Sequence, residues 1–176
     1  MENLPKLILT DIDGVWTDGG MYYDNLNNEF KKFNVKDGAG VIYLRLLNIP
    51  VGIITGENTE IVQRRAKKLQ IEHLYMGVKN KVKVVKKLLS SLNIPMKEVA
   101  YIGDDINDIN LLSIVGFSAT TNDAPDYIKR KVHYVTKCNG GEGAFREFIE
   151  KIITDQGVMS EVLEKYLKEN SNSSEY

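Results

Sequence analysis

Short apolar runs without polar alternation recur along the chain, and they restrict its fold more than any other feature. They are Leu7-Ile8-Leu9-Thr10, Val51-Gly52-Ile53-Ile54, His73-Leu74-Tyr75, Val99-Ala100-Tyr101-Ile102, Gly116-Phe117-Ser118-Ala119 and Val132-His133-Tyr134-Val135. Successive strand residues point to opposite faces, so a run that is apolar throughout must be buried on both. Between the runs, apolar residues recur with helical patterning: Val41, Ile42, Leu44, Leu46 and Leu47, then Ile61, Val62, Ala66 and Leu69, then Val82, Val85, Leu89 and Leu92. Strands that alternate with helices predict an α/β fold, a three-layer doubly wound parallel sheet joined by right-handed crossovers. With 176 residues, 43% of them hydrophobic, and no linker or internal repeat, one domain is expected over residues 1–154.

Two segments stand outside that alternation. Residues 18–33 carry aromatic-bearing stretches around an Asn/Asp-rich centre, from Met21-Tyr22-Tyr23 to Phe30 and Phe33. This predicts a β-hairpin projecting after the first strand. Such a ribbon is marginal alone, so its aromatics must cover the chain's own core or a neighbouring subunit. Towards the end, Phe145, Phe148, Ile149, Ile152 and Ile153 follow the loop Asn139-Gly140-Gly141-Glu142-Gly143 and read as a helix. Val158, Val162, Leu163, Tyr166 and Leu167 give one more helix within 155–168, and the polar residues 169–176 read as a disordered tail.

Charge and cysteine usage exclude several classes. The chain has 23 Lys and Arg against 24 Asp and Glu, a net charge of -1, so it has no general attraction for nucleic acid or anionic lipid. The basic run Lys79, Lys81, Lys83, Lys86 and Lys87 falls mostly on the polar face of a predicted helix. No apolar stretch approaches the roughly 18 residues that span a bilayer, and the first residues lack a secretory pattern. A cytoplasmic protein with neither nucleic-acid nor membrane partners is expected. Cys138, alone, can form neither an internal disulfide nor a CxxC site.

The chemistry concentrates at strand ends, where open parallel sheets bind ligands. The first strand runs into Asp11-Ile12-Asp13-Gly14, the second into Thr55-Gly56-Glu57-Asn58, the third towards Asn80-Lys81, and the fourth into Gly103-Asp104-Asp105-Ile106-Asn107-Asp108. Any one of these alone is ordinary turn or cap chemistry. Together and in order, they bring several carboxylates to one edge, where mutual repulsion would raise their pKa values unless a cation intervened. Oxygen-only ligands without paired His or Cys favour Mg²⁺, which takes few protein carboxylates plus water and substrate phosphate. A carboxylate nucleophile, a second carboxylate as acid and base, and cationic or hydroxyl groups on the phosphoryl oxygens make a coherent phosphoryl-transfer site.

Asp-Ile-Asp-Gly, Ile54-Thr55-Gly56, a Lys, and Gly103-Asp104-Asp105-Ile106-Asn107-Asp108 resemble, in that order, the motifs of the haloacid dehalogenase-like phosphohydrolases over residues 7–108. Thr10 to Gly19, Lys32-Phe33-Asn34-Val35-Lys36-Asp37-Gly38 and Gly140 to Glu147 are more narrowly similar to the capless 3-deoxy-D-manno-octulosonate 8-phosphate phosphatase branch. The resemblance implies a phosphoric monoester phosphatase with Asp11 as nucleophile, Asp13 as acid and base, and Thr55 and Lys81 on the phosphoryl group. It also implies Mg²⁺ held by Asp11, Asp104 and the carbonyl of Asp13, with Asp105 or Asp108 orienting Lys81 or a metal-bound water. The substrate would be a phosphorylated 2-keto-3-deoxy sugar acid, of the kind used in lipopolysaccharide or sialic acid biosynthesis.

One position departs from that branch. It usually has Gly-Arg after the Thr, whereas this chain has Gly56-Glu57, which looks more like relatives acting on nine-carbon sialic-type 9-phosphates. A nine-carbon substrate is therefore expected first, and the eight-carbon 8-phosphate second. Candidate substrate residues are Gly56, Glu57, Lys36, Arg146, and Arg64 and Lys68, which a helix continued from Glu57 would bring to its face. By the same resemblance the chain is a homotetramer, its hairpins central, with the Gly140 to Arg146 loop or the tail entering a neighbouring site. Two other classes compete: a receiver-like signalling domain, which the order of the acidic motifs opposes, and a non-catalytic regulatory or scaffolding subunit, which the complete motif set opposes.

Overall fold

A computed structural model describes residues 4–171, apart from the side chain of Asn170. The elements in chain order are β1 (Leu7–Thr10), β2 (Tyr22–Tyr23), β3 (Glu29–Phe30), α1 (Asp37–Leu46), β4 (Val51–Ile54), α2 (Glu60–Lys68), β5 (His73–Tyr75) and α3 (Lys81–Leu92). There follow β6 (Val99–Ile102), α4 (Ile109–Leu112), β7 (Phe117–Thr120), α5 (Asp126–Lys129), β8 (Tyr134–Val135), α6 (Ala144–Asp155) and α7 (Met159–Ser171). The large sheet has the order β5-β4-β1-β6-β7-β8 and every pairing in it is parallel. The chain fills one side of β1 and then crosses to the other, so the strand order reverses beside β1, where such sheets hold ligands. Thr10 is level with Ile53 on one side and Ile102 on the other, so the loops after β1, β4 and β6 leave the sheet together.

The central strands β1, β4 and β6 are buried at every position, as their unbroken apolar sequence demands. Two cores result. On one face Ile8, Ile53, Ile102 and Ala119 pack with Val41, Leu44, Val62, Phe145 and Phe148 from α1, α2 and α6. On the other, Leu7, Leu9, Ile54 and Tyr101 pack with Val85, Leu88, Leu89, Leu111 and Ile128 from α3, α4 and α5. The edge strands are less complete. β7 lies one residue later than its apolar run suggests, and β8 keeps only Tyr134–Val135, leaving Val132 and His133 outside it. The Nδ1 of His133 instead accepts the Ser118 N–H at 3.0 Å.

The expected hairpin is present as the two-residue strands β2 and β3, with a further bridge from Thr17 to Phe33. Its tip is closed by Asp24, whose carboxylate accepts the N–H groups of Leu26 and Asn28 at 2.8 and 2.9 Å. Met21, Tyr22, Tyr23, Leu26 and Phe30 are exposed, so the chain's own core does not cover them. At the other end α7 runs to Ser171, so residues 169–171 are helical rather than part of a disordered tail; residues 172–176 of that expected tail lie outside the described residues. Val162 is buried against the core, and Lys165 donates to the carbonyl of Leu46 at 3.0 Å.

The join between α1 and α6 supports the loops described below. A Cβ on Gly40 would lie 3.1 Å from the Phe145 ring, so its absence lets the helices approach. The fully buried Asp37 carboxylate accepts the N–H of Arg146 at 3.1 Å, capping α6 from the start of α1. Burial pushes this carboxyl up to about 6, against the pull of the Arg146 and Phe145 N–H groups and the nearby Arg65 and Arg146 charges. A carboxyl raised in the folded state supports folding best below its unfolded pKa, and that support is lost as pH rises through about 6. Asp37→Asn keeps the accepting oxygen without the buried charge. Denaturant unfolding is expected to find it roughly 1 to 3 kcal/mol more stable than the parent chain at pH 8 relative to the same comparison at pH 4, each pKa unit being worth about 1.4 kcal/mol. An unchanged difference between the two would refute this account of Asp37.

Candidate active site

Where β1 ends, the backbone turns tightly. The N–H groups of Val15, Trp16 and Thr17 all point at the carbonyl of Ile12, and Trp16 Nε1 donates to Thr10 Oγ1 at 3.0 Å. Trp16 is fully buried, its ring 4.5 Å from that of Phe145, which anchors the turn to α6. Gly14 has φ +80°, and a Cβ there would collide with the Asp104 carboxylate, so glycine lets the loops after β1 and β6 touch. A Cβ on Gly103 would overlap the Asp108 carboxyl group, so glycine there lets the loop after β6 close on its own Asp108.

Lys81, the first residue of α3, lies beneath these loops with its side chain 2% exposed. Its Nζ is 2.7 Å from Asp11 Oδ2, 2.6 Å from Asp108 Oδ1 and 3.3 Å from Tyr101 Oη. Tyr101 Oη also donates to Asp108 Oδ1, and the other oxygen of Asp108 accepts the N–H groups of Asp104 and Asp105 at 3.0 and 3.3 Å. Both oxygens of Asp108 are thus committed to holding Lys81 and the loop after β6. Burial disfavours the Lys81 charge, but the carboxylates of Asp11 and Asp108 outweigh it and raise the pKa.

Asp11, Asp104 and Asp108 offer carboxylate oxygens that all lie within 4.8 Å of one another. Burial first, and then the charge of Asp108, lift Asp11 to about 7, with Lys81 opposing; burial and the charges of Asp11 and Asp108 lift Asp104 to about 8. One oxygen of Asp104 is buried without a hydrogen-bond partner. Repelling carboxylates, one of them with a buried, unpartnered oxygen, fit a hard divalent cation such as Mg²⁺. Asp11, Asp104 and the backbone carbonyl of Asp13 are the groups that would hold it, since Asp108 is engaged elsewhere.

A cavity of about 270 Å³ opens above this floor, lined by Asp11, Asp13, Gly14, Gly19, Thr55, Gly56, Glu57, Asp104, Asp105 and Asn107. It unites the expected Asp11, Asp13, Thr55 and Asp104 with Gly56 and Glu57. Thr55 is buried, its N–H on the carbonyl of Tyr75 at 3.0 Å, and its Oγ1 accepts the Glu57 N–H at 3.3 Å. Asp105 is exposed and accepts from Tyr127 Oη at 3.2 Å, so of the two acidic candidates Asp108 alone orients Lys81.

The remaining substrate candidates lie elsewhere in this chain. α2 starts only at Glu60, so Glu57 sits in the preceding loop and shares no helix face with Arg64 and Lys68. Arg64 instead lines a groove with hairpin residues Asn27 to Lys31, and Lys68 is exposed at the end of α2. Arg146 pairs with Glu150 at 2.7 Å and donates to Tyr43 Oη at 3.2 Å, while Lys36 lines the same α6 groove as Arg146. The glycine loop packs on its own chain: a Cβ on Gly140 would collide with the carbonyl of Gly14, and Gly141 N–H donates to Val15 at 3.0 Å. Within this chain it buttresses the turn that carries Asp11 and Asp13.

Three residues in the site or in the shell around it are marked by no motif. Arg65 lies under the hairpin, donating to the Asn34 carbonyl at 3.1 Å with its guanidinium 5.9 and 5.7 Å from the Trp16 and Phe33 rings. The inward stripe of Val62, Ala66 and Leu69 passes through position 65, so spacing marks Arg65 as the arginine of α2 that faces inward. Tyr101 read as strand core, and nothing local distinguishes its hydroxyl. Lys31 donates to Asp13 Oδ1 at 2.7 Å from the far strand of the hairpin, a pairing that no helix or strand period predicts.

The family model for haloacid dehalogenase-like hydrolases matches residues 54–148. The 3-deoxy-D-manno-octulosonate 8-phosphate phosphatase of Yersinia pestis is 41% identical over 151 residues, covering 86% of this chain and 81% of that protein. Among solved structures, a probable phosphatase from Pseudomonas syringae superposes with a TM-score of 0.90 at 40% identity, covering 94% of each chain. The 3-deoxy-D-manno-octulosonate 8-phosphate phosphatase of Moraxella catarrhalis, in complex with magnesium, phosphate and the sugar acid, superposes with a TM-score of 0.88 at 33% identity, covering 92% of this chain and 93% of that one.

Removing one member of a repelling carboxylate set relieves it and also dismantles the cation site. Asp104→Asn is expected to melt higher than the parent chain in chelator and to gain nothing when Mg²⁺ is added. Thermal unfolding with and without Mg²⁺ checks this, and equal Mg²⁺ stabilisation of both proteins would contradict the site.

Proposed function

The chain belongs to the haloacid dehalogenase-like hydrolases and is a phosphatase with Mg²⁺ as cofactor, and from that premise we propose that it hydrolyses 3-deoxy-D-manno-octulosonate 8-phosphate. The carrying observation is the cavity that joins Asp11, Asp13, Thr55 and Asp104 above Lys81. The residue pattern favoured a nine-carbon ester, whereas relatives such as the Yersinia pestis enzyme are named for the eight-carbon one, so the eight-carbon substrate takes precedence.

In this reading the Asp11 carboxylate attacks phosphorus while the P–O bond to the sugar breaks, and Asp13 gives its proton to the departing oxygen. Asp13 then takes a proton from the water that attacks the aspartyl-phosphate, and the bond between phosphorus and Asp11 breaks. Lys81, fixed by Asp108, directs its ammonium at Asp11 and offsets negative charge on the phosphoryl oxygens, with the Thr55 hydroxyl beside them. Bound Mg²⁺ supplies charge neutralisation to the phosphoryl group and to Asp11. The exposed Met21, Tyr22, Tyr23, Leu26 and Phe30 support a homo-oligomer, proposed as a tetramer, with the hairpins covered by neighbours. Among the described residues no helix is long and apolar enough to cross a membrane; a cytoplasmic location belongs to the proposal.

A second reading, the nine-carbon 9-phosphate, is favoured by Glu57. A carboxylate in the cavity wall repels a substrate carboxylate and accepts hydroxyl hydrogen bonds, where Arg would bind the acid. Phosphate release from matched eight- and nine-carbon esters tests both readings, expressed as kcat/KM. The eight-carbon ester is expected to be preferred, with Glu57→Arg strengthening that preference; a preference for the nine-carbon ester establishes the second reading, and hydrolysis of neither ester overturns both. Asp11→Asn should fold normally yet lose roughly 10⁴-fold or more in kcat, as nucleophile deletions do.

A further inference from the structure

Most of the hairpin is open to solvent, with Met21, Tyr23, Leu26 and Phe30 between 55% and 80% exposed. Lys31 is the exception, its side chain only 2% exposed. A lysine on an exposed ribbon normally extends into water, and burying one requires a partner for its charge. The partner is Asp13. Lys31 Nζ lies 2.7 Å from Asp13 Oδ1 and 3.5 Å from Glu29 Oε1, and Thr17 Oγ1 donates to the same Asp13 oxygen at 3.2 Å. The opposite oxygen, Oδ2, is buried without a partner. A carboxyl group on a short side chain has broad freedom about its terminal torsion, and donors on one oxygen remove that freedom. The adjacent Lys32 makes a contrast, 62% exposed and 3.5 Å from Asp18.

We propose that Lys31 is a positioning residue for the acid and base step: its ammonium pins one oxygen of Asp13 and so presents the other to the ester oxygen. This rests on the reading of Asp13 given above. In the first half-reaction the proton leaves Asp13 Oδ2 for the ester oxygen, which takes the electron pair of the breaking P–O bond. Lys31 neither gives nor takes that proton. Because it is carried by the hairpin, the geometry of the acid depends on a ribbon outside the parallel sheet.

The test exploits leaving groups. A sugar alkoxide needs a proton as it departs, and p-nitrophenolate does not, so kcat/KM, which reports steps through departure of the leaving group, is measured on both esters with Mg²⁺. Lys31→Met is expected to lose roughly 10²-fold on the sugar ester, within the range of acid catalysis, and only a few-fold on p-nitrophenyl phosphate. Lys31→Arg should recover most of the loss, and Lys32→Met should match the parent chain. Equal losses on the two esters, or no loss, would overturn the proposal. Asp13→Asn, run alongside, separates the two levels: if it lacks the selective loss, the reading of Asp13 fails and the proposal with it, whereas if it has the loss and Lys31→Met does not, only the proposal fails. Should Lys31→Met aggregate, Lys31→Gln is judged by the same criterion.

Discussion

The buried ammonium of Lys81 holds the floor of the site together. Lys81 lies between Asp11 and Asp108 with almost no solvent contact, and removing it would leave two buried carboxylates facing each other. Everything around it follows from that need. Asp108 holds Lys81 with one oxygen and the loop after β6 with the other, so the cation and the loop carrying Asp104 are fixed by one side chain. Tyr101 adds a hydroxyl that bridges the pair from within the strand. The charge that the lysine leaves unbalanced, with Asp11 and Asp104 both raised, is what a divalent cation answers.

The fold contributes distance. Parallel strands in level register deliver the loops after β1, β4 and β6 to one edge, but side chains would still hold them apart. Glycine at 14 and 140 removes that obstacle at two crossings: the loop after β1 against Asp104, and the late glycine loop against the turn after β1. The last of these joins a segment more than a hundred residues away in sequence to the turn that carries the nucleophile. The buried Trp16, its ring in tilted contact with Phe145, fastens the same turn to α6.

Much of this was legible in the sequence for physical reasons. Buried parallel strands cannot alternate in polarity, so the central strands announced themselves, and acidic motifs at strand ends could converge only at one edge. The edge strand β8 was overread, because an edge needs less apolar sequence than a centre and His133 fell outside the ladder. Substrate residues were less legible. Arg64 and Lys68 follow from a helix continued back to Glu57, whereas α2 starts only at Glu60, and the glycines at 140 and 141 serve close packing that no local pattern marks. Lys31 was invisible, since its pairing with Asp13 depends on how the hairpin folds back. Tyr101 was hidden for the opposite reason: a buried tyrosine in an apolar strand looks the same whether or not its hydroxyl has a partner.

The central claim is that Asp11, held beside Lys81, takes the phosphoryl group before water does. Two successive in-line displacements restore the configuration at phosphorus, whereas direct attack by water inverts it. The most direct measurement is the stereochemical outcome of hydrolysing an isotopically chiral phosphorothioate ester in labelled water. Retention is the predicted result; inversion would contradict the role of Asp11 and with it the account of the site.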